Sequence, residues 1–171
     1  DRYAECVYPQ TEYNKWAFKK WIVGTVHNWF ADFDDPIVSP LTLVLTGQKQ
    51  GTGKSSFMRN IMPKELSKYF VEAKLSEKDK DSMFLLASSL IVLDDEFGGK
   101  AMKDDKEYKS ISDKPHITQR RPYGRESDTY RRRAGLCGTS NEVDILKDVT
   151  GNRRLLPINV ERVDYDTLLS I

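Results

Sequence analysis

Residues 47–56 read Gly-Gln-Lys-Gln-Gly-Thr-Gly-Lys-Ser-Ser, which sets three glycines, a cation and hydroxyls within ten positions. Those types at that spacing suit the holding of phosphate oxygens. Gly51 and Gly53 let the backbone curl so that successive N–H groups point inward. The start of a following helix adds a positive dipole end. Lys54 is placed to reach β- and γ-phosphates, and the Ser55 hydroxyl to ligate Mg²⁺. The candidate nucleotide-binding residues are therefore Gly51, Thr52, Gly53, Lys54, Ser55 and Ser56. The spacing GxxxxGK[ST] would put its first glycine at position 48, where the sequence has Gln48, and Gly47 stands one place early. The loop is either one residue longer or tolerates Gln at its entry.

Phosphoryl transfer also needs one acid at the metal's hydration shell and one to orient the attacking water. Asp94-Asp95-Glu96 directly follows the apolar run Ser89-Leu-Ile-Val-Leu93, and ligands in open α/β sheets bind at the carboxyl ends of strands. Alternate side chains of a strand face opposite ways, so the three acids cannot all face the nucleotide. Asp95 is assigned to the metal and Glu96 to the water, with Asp94 and Asp95 as the alternative working pair. Asn141, after Gly138-Thr-Ser, offers an amide to the γ-phosphate or the water; a turn residue is the plain alternative.

These groups need elements to position them. Leu41–Thr46 is a β-favouring run before the loop, and residues 54–61 read as a helix stopped by Pro63. Tyr69–Ala73, Ser89–Leu93, Ala134–Thr139 and Arg154–Val160 read as further strands, with helical stretches at 77–87 and 101–112. Strands alternating with helices predict an α/β fold with a mainly parallel sheet. Upstream, residues 12–30 predict a helix whose Phe18, Trp21, Ile22, Thr25 and Trp29 share one face. Trp16, Val23, Val26 and Phe30 add apolar surface at neighbouring angles, which predicts cover on more than one side. Residues 113–133, with Pro115, Pro122 and Gly124, fit neither period and read as a projecting hairpin. Residues 1–40 thus form an N-terminal helical segment on the core, and 41–171 the core itself, one domain overall.

The whole chain has 171 residues and a formal net charge of +1. That size suits one domain, and no metal or disulfide staple is needed to hold it. Cys6 and Cys137 read as reduced thiols of a cytoplasmic protein, Cys137 as core filler. His27 and His116 have no partner at metal-ligand spacing. No run approaches about 18 apolar residues, so no transmembrane helix is expected. The start lacks both a signal-peptide pattern and Met, and a fragment of a longer chain is expected.

The near-zero charge is a cancellation. Six of eleven arginines fall between 120 and 133, giving +4 over residues 115–133, while residues 94–113 carry seven acids against four lysines. Arg120, Arg121 and Arg125, with Tyr123 for stacking, are the candidate nucleic-acid contacts. Arginines of this set, or Arg153 and Arg154, are candidates for fingers on a neighbour's nucleotide; a salt-bridged face is the plain alternative.

The ordered set GxGKS, Asp94-Asp95-Glu96, Arg121-Pro-Tyr-Gly-Arg125, Gly138-Thr-Ser-Asn141 and Asp148-Val-Thr-Gly-Asn-Arg-Arg154 with Pro157 resembles the virulence-associated protein E family of phages and mobile elements. The resemblance covers roughly residues 41–160. It implies a three-layer P-loop ATPase, AAA+-like and similar to superfamily 3 helicases, with a five-stranded sheet whose acidic strand is not beside the loop strand. It implies Walker A at Gly51, Gly53, Lys54 and Ser55, Walker B at Asp95 and Glu96, and sensor 1 at Asn141. Arg153 or Arg154 would be a nucleotide-sensing or finger arginine, with Arg121 a weaker candidate. The implied activity is ATP hydrolysis with Mg²⁺ at the interfaces of a homo-oligomeric ring acting on single-stranded or forked DNA, with a primase domain in the same or a partner chain and no membrane. Too little chain follows residue 160 for a helical lid, so the ATPase core alone is expected. A nucleotide-gated switch or DNA-binding module with weak ATPase is the alternative, and a small-molecule kinase a more distant one.

Overall fold

A computed structural model describes residues 2–35, 37–95, 97, 105–120, 126–142 and 153–171, the side chains of 105 and 106 excepted. In chain order the elements are α1 (Arg2–Glu5), β1 (Val7–Tyr8), α2 (Glu12–Phe30), β2 (Thr42–Thr46), α3 (Lys54–Arg59), a 3-10 turn (Lys64–Tyr69), β3 (Phe70–Glu72), α4 (Lys80–Ser88) and β4 (Ile91–Asp94). Then follow α5 (Asp105–Asp113), β5 (His116–Arg120), β6 (Ser127–Arg131), β7 (Gly135–Ser140), β8 (Leu155–Asn159), β9 (Arg162–Val163) and α6 (Tyr165–Leu169).

The central sheet has the order β3-β4-β7-β2-β8, and every neighbouring pair in it is parallel. The loop strand β2 and the acidic strand β4 are therefore separated by β7, as the family resemblance implied. Parallel strands buried on both faces read as continuous apolar runs, and Leu43, Val44 and Leu45 are all fully buried. Alternation sorts their side chains. Leu43, Leu45, Ile91, Leu93 and Cys137 join one core with Phe18 and Trp21 of α2 and Phe57 and Met58 of α3. Val92 and Leu136 face the other way, onto Met83 and Leu86 of α4 and Ile111 of α5. Helices thus cover both faces.

Thr11 caps α2 by accepting from the Asn14 N–H. Its buried face is pinned by two indoles: Trp21 Nε1 donates to Leu136 O at 2.6 Å and Trp29 Nε1 to Leu90 O at 2.8 Å. The opposite face differs from expectation. Trp16, Val23, Val26 and Phe30 are exposed, Phe30 at 81%, because a single sheet contacts the helix from one side only.

The projecting hairpin is β5 paired antiparallel with β6. Its base is held by arginines whose bonds run to backbone carbonyls. Arg131 donates to Pro115 O and Ile37 O, Arg132 to Ala134 O and Ser112 O, and Arg133 to Trp29 O and Ala31 O. Arg132 is fully buried, and that burial pushes its guanidinium down to about 10. Half of the arginine cluster is thus bound into the fold rather than arrayed as an outward basic face. Both thiols are free and buried, and no helix among the described residues is long and apolar enough to cross a membrane.

Candidate functional site

β2 ends at Thr46, and the glycine loop carries the chain into α3. Gly51 and Gly53 adopt φ of 74° and 90°, in the left-handed region that favours glycine. Gly47 answers a different demand: a Cβ there would lie 2.7 Å from Val160 O. Its N–H donates to Ser140 O at 3.1 Å, which ties the loop entry to the end of β7. The tight backbone approach therefore falls at Gly47, one position before the strict motif.

Lys54 begins α3 and is buried. Its ammonium donates to Gly47 O at 3.0 Å, Lys49 O at 3.1 Å and Asn141 Oδ1 at 3.4 Å. Burial lowers the lysine's pKa, and the Asp95 charge partly opposes the shift. Asp95 Oδ1 accepts from Ser55 Oγ at 2.8 Å and from Thr139 Oγ1. Asp94 instead lines a cavity on the opposite face of the sheet beside Phe97 and Tyr108, as strand alternation requires. The structure thus brings Lys54, Ser55, Asp95 and Asn141 together. Gly51, Thr52, Gly53 and Ser56 share with them the wall of one cavity of about 430 Å³. Glu96, Arg121, Tyr123 and Arg125 lie outside the described residues. Arg120 ends β5 on the hairpin.

Arg153 and Arg154 stand at the far end of the sheet. Thr42 N–H donates to Arg154 O at 2.8 Å, so Arg154 adjoins the start of β2, about 15 Å from the loop at ~3.3 Å per residue. Neither arginine lines the cavity at this chain's own glycine loop. Arg154 is mostly covered and makes a two-pronged pair with Asp113, Nε to Oδ1 being 2.9 Å. Arg153 is exposed.

Three residues beyond the predicted candidates meet the site. Tyr165 of α6 donates its hydroxyl to Gly53 O at 3.1 Å, and a Cβ on Gly53 would lie 2.2 Å from that hydroxyl. Thr139 has been placed on Asp95. Arg59 ends α3, four residues after Ser55 and hence on the same helical face. Its Nη2 lies 4.0 Å from Asp95 Oδ2.

The donors fit a magnesium nucleotide. Thr52 Oγ1 is buried with no hydrogen-bond partner among the described residues, where a phosphate oxygen would accept. Among the described residues no group of three or more His, Cys, Asp or Glu side chains is placed to hold a metal unaided. One hydroxyl and one carboxylate, here Ser55 and Asp95, suit Mg²⁺, which takes its other ligands from substrate phosphates and water.

The apo structure of the NrS-1 C-terminal region superposes on the chain with TM-score 0.64 at 15% identity, over 98% of this chain and 41% of that one. A second apo form of that region gives 0.64 at 16%, over 99% and 41%. The inhibitor-bound JCV helicase gives 0.51 at 10%, over 96% and 44%. The chain thus spans under half the length of these structures, and at such identities the likeness is one of fold. No curated protein matches the sequence. The profile of the virulence-associated protein E-like domain matches residues 2–170; the chain belongs to the virulence-associated protein E-like domain family.

Proposed function

We propose that the chain is the Mg-ATP-hydrolysing core of a helicase-class replication protein of a phage or mobile element. The observation that carries the reading is the convergence of Lys54, Ser55, Asp95 and Asn141 on the glycine loop. Family membership and the shared fold support it.

Lys54 exchanges the Gly47 and Lys49 carbonyls for β- and γ-phosphate oxygens, which also relieves the cost of burying its charge. Ser55 and Asp95 would hold Mg²⁺, which would supply neutralisation of the phosphates' negative charge. Glu96, next in sequence after Asp95, orients the attacking water. Asn141, already beside the Lys54 ammonium, meets the γ-phosphate. Arg153, exposed at the opposite end of the sheet, reaches a neighbouring subunit's nucleotide, while Arg154 anchors the segment that carries it. The β5–β6 hairpin grips DNA through Arg120, and Arg121, Tyr123 and Arg125, which follow it in sequence, are its proposed further contacts.

Nucleotide binding and turnover test this directly. Glu96→Gln is expected to bind ATP and fail to hydrolyse it. Turnover at the wild-type rate would move the water-orienting role away from Glu96. Binding by the wild type without turnover, with or without DNA, would favour the nucleotide-gated switch.

A further inference from the structure

The metal-facing carboxylate has a cation at its side that the reaction does not require. Arg59 is aimed at Asp95 from the end of α3, yet its two good hydrogen bonds go elsewhere. Nε and Nη2 donate to Glu72 Oε1 and Oε2 at 2.5 and 2.9 Å, while Nη2 stays 4.0 Å from Asp95 Oδ2. Glu72 is the last residue of the edge strand β3. Its fork-to-fork pairing is the strongest geometry open to a guanidinium and a carboxylate. The pair holds Glu72 below the usual carboxylate range. All three side chains remain 40–45% exposed, so Arg59 has room to swing.

A guanidinium released from Glu72 would be free to close on Asp95, the carboxylate it already approaches at 4.0 Å. A bidentate Arg–Asp pair would occupy the oxygens a divalent cation needs and cancel the charge that attracts it. We propose that Glu72 is a positioning residue: it holds Arg59 back and so keeps the guanidinium from competing with Mg²⁺ at Asp95. The inference rests on the Mg-nucleotide reading of the loop. It differs from a direct role for Arg59 on phosphate, under which losing Arg59 weakens nucleotide binding even without metal.

The test is the binding of a fluorescent ATP analogue to the full chain, titrated with Mg²⁺ and repeated in EDTA. Wild type, Glu72→Gln, Arg59→Gln and the double variant are compared. Glu72→Gln is expected to raise the Mg²⁺ concentration for half-maximal enhancement of binding by roughly fivefold, the scale of one exposed ion pair. The double variant should return to the wild-type value, and binding in EDTA should be equal in all four. An unshifted Mg²⁺ requirement in Glu72→Gln, or a shift the double variant retains, overturns the proposal. Weaker binding in EDTA for Arg59→Gln alone overturns it in favour of a phosphate contact. Failure of the wild type to bind the analogue at all overturns the phosphate-loop reading itself, a distinct result.

Discussion

At the scale of single residues, position relative to the sheet separates side chains that look alike in sequence. Arg153 and Arg154 are adjacent, but one is exposed and the other paired with Asp113. Arg153→Ala is expected to leave thermal stability and ATP affinity near wild type and to cut turnover by about a thousandfold or more, the scale of an arginine finger. Arg154→Ala should instead lower stability by about 1 kcal/mol, since its carboxylate partner is half exposed. Paired melting and turnover measurements check both, and equal turnover losses with equal destabilisation would erase the distinction. Lys54, Ser55 and Asp95 were legible in sequence because a glycine loop and a strand end impose local spacing. Tyr165 was not, because it arrives from α6 and only the fold sets it against the loop; Arg59 and Thr139 stand one helical turn after Ser55 and two residues before Asn141, but no local spacing gave either a role.

At the scale of elements, the arginine-rich stretch shows what composition hides. Arg120 lies along the hairpin, whereas Arg131 and Arg132 are buried at its base and tie it to the loop before β2 and to the end of α5. Arg132→Ala would leave a cavity and strand the Ala134 and Ser112 carbonyls. A loss of about 3 kcal/mol by urea denaturation is expected. Arg120→Ala should shift stability by no more than about 0.5 kcal/mol while flattening the salt dependence of DNA binding. DNA affinity unchanged in Arg120→Ala would remove the hairpin from the DNA path. Charge run and hairpin were readable from residues 113–133; the split between anchoring and outward arginines was not, since it depends on which carbonyls lack partners nearby. Likewise the period of α2 marked its buried face, but nothing local said that the second apolar face would stay exposed.

Two element-level pairs also set the acid response. Asp113 is held low first by its hydrogen bond from Arg154, and Glu72 by its bond from Arg59. A carboxylate whose pKa falls on folding stabilises the fold above its unfolded value and loses that contribution as pH drops through its folded value. The melting temperature is therefore expected to be flat from pH 7 to about 5 and to fall below about 4. Asp113→Asn should remove part of that acid-side decline. A melting curve that rises on acidification would contradict the assignment.

At the scale of the whole molecule, the parallel pairing of β2 with β8 puts the glycine loop, which follows β2, and Arg153, which precedes β8, at opposite ends of the sheet. In the proposed assembly the proposed nucleotide site and the arginine offered to complete it therefore belong to different subunits. The alternating β/α pattern and the ordered motifs made the layered fold legible. The small pairings that close the molecule did not register, because β1 and β9 are two residues each, too short to carry a period. Yet they join the chain's first residues to the segment that leads to Tyr165. ATP turnover per subunit, measured against protein concentration for the wild type and for Lys54→Ala, tests the account most directly. Specific activity should climb with concentration in the wild type as interfaces form and be absent in Lys54→Ala at every concentration. Turnover that survives the loss of Lys54 would contradict the central claim.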